Sequence, residues 1–280
     1  MSNIMISAFS DEYAVDFEEQ LKGMRLLGIK YIEPRHLSGK NISLLTNDEA
    51  KEAKALMDKY GIKVSAIGSP LGKIHLDEDM DAHMELARHI FEIADILGTK
   101  LVRIFSFYAP EGRDIHEMRD EVFGALGRIV KLAREYNVTL CHENEAEIYG
   151  NTPEYCKEII DFFGGEIKCV FDMGNYVLEQ VDPYPDAYEL LENDIVYFHI
   201  KDAFFDGAIV PPGVGEAKIG KILAEYKELS VNDFFASLEP HLTTFAGLQK
   251  LVGRKFDTRY VYPDKIAAFN DAFKRFMELI

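Results

Sequence analysis

Apolar positions along this chain switch between two periods. Short runs rich in β-branched and aromatic residues are followed by longer stretches whose apolar residues stand three and four apart, the marks of a strand and of an amphipathic helix. Residues 4–9 read as a first strand, and 16–27 as a helix with Phe17, Leu21, Met24 and Leu27 on one face, stopped by Gly28. Residues 29–33 give a second strand. Residues 46–60 give a helix opened by a Thr46/Glu49 capping box and closed by Gly61. Further strands are predicted at 62–67, 100–107, 138–143, 167–172, 195–200 and 234–239. The matching helices fall at 79–97, 114–136, 152–163, 185–191, 219–228 and 264–279, with Thr152 and Pro153 as N-cap and first helical residue.

No low-complexity linker or shift of composition interrupts this alternation, so residues 1–280 are expected to form one domain. Strands this apolar, each followed by a helix, imply a parallel sheet covered by helices. The strand-then-helix units number eight, which fits an α/β fold of the closed (β/α)8, or TIM-barrel, type. An open doubly wound sheet would carry a Gly-rich phosphate turn after its first strand; Ser10-Asp11-Glu12 stands there instead.

Composition narrows the function. The net charge of -17 opposes binding to phosphate backbones, so nucleic acid is not an expected partner. Three cysteines, Cys141, Cys156 and Cys169, show neither zinc spacing nor a CxxC motif and read as reduced thiols of a cytoplasmic protein. No basic and apolar leader follows Met1, and no apolar run approaches the ~20 residues that span a bilayer, so no membrane association is expected. Self-association into a homo-oligomer stays open.

The candidate chemistry lies at strand ends. Cys141-His142-Glu143-Asn144-Glu145 sets a carboxylate directly after an apolar run. The next strands end in Asp172, His199 and Glu239. In a parallel barrel the C-terminal strand ends share one mouth, so these four side chains would meet there. Three carboxylates and one imidazole suit a divalent ion: Mn²⁺ first, with Mg²⁺, Co²⁺, Zn²⁺ or Fe²⁺ as alternatives.

Four motifs carry a resemblance: His142-Glu143-Asn144, Phe171-Asp172-Met173-Gly174-Asn175, Phe198-His199-Ile200-Lys201-Asp202 and Leu238-Glu239-Pro240-His241. Ser69-Pro70-Leu71-Gly72-Lys73 and Val210-Pro211-Pro212-Gly213 agree as well. On these the chain resembles the xylose isomerase-like TIM-barrel superfamily, in its sugar phosphate isomerase/epimerase branch. The resemblance implies that Glu143, Asp172, His199 and Glu239 bind a metal, and that Glu143 and Glu239 move a proton as catalytic residues. It departs from the ketose 3-epimerases of that group at Asn175, where they carry histidine, and after His199, where Lys201-Asp202 replaces their arginine.

An ion that holds a carbonyl and a neighbouring hydroxyl acidifies the C–H between them through the enediolate, and a carboxylate can remove that proton. Isomerisation or epimerisation of a sugar or sugar phosphate follows, with a small carbohydrate as partner. A dehydratase or lyase acting on a keto-sugar or inositol derivative shares the machinery. An endonuclease of the same barrel would need more histidines and a basic face. Lys201, Lys73, Glu145 and Phe107 are the candidate substrate contacts. His142, by strand alternation, points away from the barrel interior. Glu33, Arg35 and Arg103 read as mouth-lining or ion-paired residues. Loops at 213–215 and 253–255 are the candidate phosphate sites.

Overall fold

The structure is a computed structural model and describes residues 2–242 and 260–280. Strand β1 (Ile4–Ala8) leads to α1 (Phe17–Leu26), whose N-cap Asp16 accepts a hydrogen bond from Glu19 N. Strand β2 (Tyr31–Ile32) is followed by a hairpin of β3 (His36–Leu37) and β4 (Lys40–Asn41), then by α2 (Asn47–Tyr60). Both bonds of the predicted Thr46/Glu49 capping box are present, and Gly61 closes the helix in the left-handed region. Strand β5 (Lys63–Val64) precedes α3 (Met80–Leu97), β6 (Leu101–Ile104) precedes α4 (Arg119–Tyr136), and β7 (Thr139–Glu143) precedes α5 (Pro153–Phe162). Strand β8 (Ile167–Asp172) runs directly into α6 (Met173–Leu178), with α7 (Tyr188–Leu191) beyond it. Strand β9 (Ile195–Ile200) gives way to a second hairpin, β10 (Asp202–Ala203) and β11 (Ile209–Val210), then to α8 (Ile219–Leu229). Strand β12 (Phe234–Leu238) and α9 (Lys265–Met277) complete the chain.

Six strands pair in parallel in the order β1-β12-β9-β8-β7-β6, and β2 pairs with β5. Single backbone bonds close the ring. Glu33 N donates to Ala8 O at 2.9 Å, joining β1 to the end of β2. Ile67 N donates to Leu101 O and Arg103 N to Ile67 O, joining the end of β5 to β6. Among the described residues, then, eight parallel strands form a (β/α)8 barrel. The second and third predicted strands keep ladder pairing over two residues each, but their flanking residues still carry the bonds that complete the barrel.

Two apolar layers hold it. Between strands and helices lie Leu21, Met24, Ile90, Phe91, Leu126, Ile129, Ile159, Ile222, Phe269 and Phe276, all buried. Each such side chain contributes about 1.5–3 kcal/mol relative to exposure. Inside the barrel a smaller cluster of Ala66, Cys141, Val170 and Tyr197 fills the axis. Strand alternation then fixes what stands above it: Glu143 is two residues on from Cys141, Asp172 from Val170, and His199 from Tyr197.

Two local expectations differ. Thr152 has N-cap backbone geometry, but its hydroxyl donates to Glu154 instead of accepting from the helix. The segment after Asp172, where no element is predicted from sequence, is the helix α6. Its six residues are too few to show a period. No helix among the described residues is long and apolar enough to cross a membrane.

Candidate metal centre

Glu143, Asp172, His199 and Glu239 converge at the C-terminal end of the barrel, all buried. One donor atom from each lies within 4.8 Å of the others. A single ion at ~2.0–2.4 Å from each donor fits that spread. His199 turns Nδ1 toward the group, 3.0 Å from Glu143 Oε1, 3.5 Å from Glu239 Oε2 and 3.9 Å from Asp172 Oδ2. Its Nε2 faces the other way, 3.1 Å from Glu33 Oε2.

Neighbouring elements hold each ligand in place. Asp172 Oδ1 caps α6 by accepting from Asn175 N at 2.8 Å, which leaves Oδ2 toward the mouth. Asn144 bonds both the amide and the carbonyl of Asp172, at 3.0 and 2.9 Å, and so stitches the end of β7 to the end of β8. Lys201 is 2 % exposed and lies 2.8 Å from Asp172 Oδ2, 3.0 Å from Asn175 Oδ1 and 3.3 Å from Glu239 Oε2. Room for its stem comes from Gly174, where a Cβ would stand 2.7 Å from Lys201 Cγ. Arg103 reaches Glu143 Oε2 at 3.1 Å, and Arg35 reaches Glu239 Oε1 at 2.7 Å.

Buried charges of both signs oppose each other here. Burial raises the carboxyl of Glu143, but His199 and Arg103 outweigh it and hold it below its ordinary range. Glu239 is likewise lowered, by Lys201 and His241 against burial. For Asp172 burial prevails over Lys201, and with Glu143 and Glu239 close by its value rises to about 6. Burial disfavours a charged His199, yet Glu143 and Glu33 raise it to about 10. A divalent ion supplies the same compensation, and its arrival releases protons from the ligands.

The donor set fits such an ion on a second count. Glu143 Oε2 and Glu239 Oε2 are buried and accept no hydrogen bond among the described residues; the first faces Arg103, the second Lys201 and His199. Buried carboxylate oxygens in this condition are costly unless a cation coordinates them. A second group, Glu12, Glu239 and His241, also gathers possible ligands. There the Arg35 guanidinium already touches Glu239 at 2.7 Å, Asp11 at 3.0 Å and Glu12 at 3.3 Å, so a cation is built in.

Glu143 and Glu239 of the cluster, with Lys201, lie at the floor of a cleft of about 740 Å³ walled by Lys40, Leu44, Pro70, Lys73, Tyr108 and Glu145, among others. Lys73 and Glu145 pair across it at 3.0 Å, with the Lys73 ammonium 4.1 Å from the centre of the Phe105 ring. Phe107 is fully buried, packs edge-on to His83 and does not line the cleft; its neighbour Tyr108 does. Lys201, a candidate substrate contact from sequence, pairs with Asp172 and Glu239 and so sits among the ligands. His142 points outward as expected and bonds Ser106 Oγ at 2.9 Å. The loop at 213–215 has its amides engaged: Gly213 N and Gly215 N both donate to Asp202 Oδ2, so it offers no free phosphate cradle. The loop at 253–255 lies outside the described residues.

Two groups were not anticipated in these roles. Glu33 was read beside Arg35, but it bonds His199 and Tyr197 instead. Asn144 carried no assigned role; its place directly after Glu143 was the available signal.

Comparison with known proteins agrees with this fold. The model of a family described as xylose isomerase-like TIM barrel matches residues 23–249. A curated relative, an uncharacterized protein of Methanocaldococcus jannaschii, is 27% identical over 207 residues, which is 69% of this chain and 67% of the relative. Among solved structures, D-psicose 3-epimerase from Clostridium cellulolyticum superposes with a TM-score of 0.75 at 13% identity, covering 99% of this chain and 98% of that one. The probable 3-DHS dehydratase AsbF of Bacillus anthracis gives 0.73 at 17% identity, over 100% and 98%. A 3-keto-D-glucoside 4-epimerase of E. coli gives 0.72 at 14% identity, over 99% and 100%. At these identities the structural matches speak to the fold.

Proposed function

The chain belongs to the xylose isomerase-like TIM-barrel family, and from that premise we propose that it is a divalent-metal-dependent isomerase or epimerase of a sugar or sugar phosphate. The observation that carries this is the pair of buried glutamates, each with one oxygen accepting no hydrogen bond, on one ligand cluster at the floor of an open cleft. Glu143, Asp172, His199 and Glu239 would hold the ion, with Mn²⁺ as the first candidate. When bound, the ion supplies Lewis-acid polarisation of a carbonyl and its neighbouring hydroxyl.

The chain's own groups do the rest. Glu143 ends β7 and follows on from the barrel axis, while Glu239 follows β12, three strands further round, beyond β8 and β9. From those positions the two carboxylates flank the cleft floor, one as base and the other as acid on the opposite side of a substrate carbon. His199 and Arg103 keep Glu143 ionised, and Lys201 and His241 keep Glu239 ionised, so either can begin as the base. Lys201 stands where its ammonium can stabilise negative charge growing on a substrate oxygen. Lys73 and Glu145 meet the substrate further up the wall, and Tyr108 offers a ring face beside them. Return of the proton to the same carbon from the other side inverts it. Return to the adjacent carbon interconverts aldose and ketose.

The test is solvent exchange. Mn²⁺-loaded protein in D₂O with a panel of ketoses, keto-acids and their phosphates is expected to exchange one C–H, seen by NMR. Glu143→Gln and Glu239→Gln should each lower the exchange rate by ~10²-fold or more, the usual contribution of a positioned acid or base. Loss of water from the substrate would move the protein to the dehydratases. Absence of exchange with every panel member in the metal-loaded protein would sink the proposal.

A further inference from the structure

Glu33 is a carboxylate with no exposed surface, and its hydrogen-bonding partners are Tyr197 and His199. A buried carboxylate is expensive unless it has work to do. Its placement is built in: Glu33 N donates to Ala8 O in one of the bonds that close the barrel, and its side chain crosses the barrel end toward β9. There Oε1 accepts from the Tyr197 hydroxyl at 3.1 Å, and Oε2 lies 3.1 Å from His199 Nε2. The Phe9 ring stands edge-on to the His199 imidazole, centres 5.0 Å apart, with Tyr197 at 5.4 Å, so the imidazole is wedged on two sides.

The two nitrogens of an imidazole diverge, so only one can share an ion with the three carboxylates. Nδ1 is the one that faces Glu143, Asp172 and Glu239. To accept an ion there, the neutral ring must carry its proton on Nε2. Histidine ligands commonly donate their other N–H to a carboxylate, which fixes tautomer and ring orientation and strengthens the donor.

We propose that Glu33 is a positioning residue for the metal centre, holding His199 Nε2–H so that Nδ1 is the ligand atom. It rests on the cluster being a metal site. Tyr197 then has a defined part: its hydroxyl bonds the second Glu33 oxygen and keeps the carboxylate from rotating away from the ring.

Two measurements test this without any substrate. In Zn²⁺-loaded protein, ¹⁵N NMR of the histidine rings is expected to show His199 with a protonated Nε2 and a metal-bound Nδ1. Mn²⁺ affinity, followed by the EPR signal of the free ion, is expected to fall roughly 10–100-fold in Glu33→Ala. Glu33→Gln, whose side-chain oxygen still accepts from Nε2–H, should recover most of that loss. A merely structural role would lower the melting temperature of the metal-free protein in both variants while leaving the affinity of the folded fraction unchanged, and would overturn the proposal. So would an ion bound through Nε2. If Glu33→Ala does not fold, the ring spectrum of the wild-type protein decides. Wild-type protein that binds no ion would instead overturn the metal site itself, and absence of C–H exchange in a loaded protein with the expected ring spectrum would leave Glu33's role standing while the isomerase reading fell.

Discussion

At the scale of single residues, the centre is a balance of buried charges, and Lys201 bears much of it. Its ammonium faces the same Asp172 and Glu239 oxygens that would bind the ion. Removing one partner of a buried pair leaves uncompensated charge and costs about 3–5 kcal/mol. Lys201→Met should therefore destabilise the metal-free protein by roughly 3 kcal/mol or more in urea unfolding. With saturating Mn²⁺ the loss should shrink, because the ion supplies the missing positive charge; an equal loss with and without metal would contradict this arrangement. The four ligands were legible because each directly closes an apolar run, and a parallel barrel sends those ends to one mouth. Glu33 was harder to place. Its own strand end said it belonged at the mouth, but spacing cannot say which of several charged tips it meets across the barrel, and Arg35, two residues on, was the nearer partner to suppose. Phe107 shows the converse: it ends the predicted strand at 100–107, yet β6 stops at Ile104, its backbone φ of 67° belongs to the left-handed region and its ring packs on His83 in the core.

Among the elements, the long helices were readable from their periods and caps, and the short ones were not. Six residues of α6 and the two-residue strands of the second hairpin carry no period; they are set by Asp172 capping a helix and by Asp202 accepting from the amides of Gly213, Gly215 and Ala217. The packing of α3 against the loop after β5 yields a pH prediction. His83 on α3 is buried, and its Nε2 accepts from Gly72 N at 3.0 Å, which requires the neutral ring. Burial lowers its value from 6.5 to about 4. The unfolded chain therefore binds the proton first as pH falls, so this contribution is complete above pH ~6.5 and is lost progressively towards pH ~4. Its size is of order 2–3 kcal/mol across that interval. His83→Gln keeps an acceptor for Gly72 without titrating, and its unfolding free energy should fall less steeply over that range than the wild-type value. Parallel curves for the two proteins would remove His83 from the account.

For the whole molecule, barrel closure brings strand ends far apart in the chain, from Glu33 to Glu239, around one cleft, which is why no local stretch of sequence could show the full site. Such a site couples to stability, since an ion that binds only the folded state stabilises it by RT ln(1 + [L]/Kd), about 2.7 kcal/mol at a hundredfold excess over Kd. Mn²⁺ should raise the melting temperature and EDTA should return it to the metal-free value; a melting temperature indifferent to both would mean that no ion binds. The built-in Arg35 cation also predicts one ion per chain, with none between Glu12 and His241. Anomalous diffraction from crystals soaked in Mn²⁺ tests the centre most directly. One peak is predicted, ~2.0–2.4 Å from oxygens of Glu143, Asp172 and Glu239 and from His199 Nδ1. No peak at saturating Mn²⁺, or a peak elsewhere with these four side chains turned apart, would contradict it.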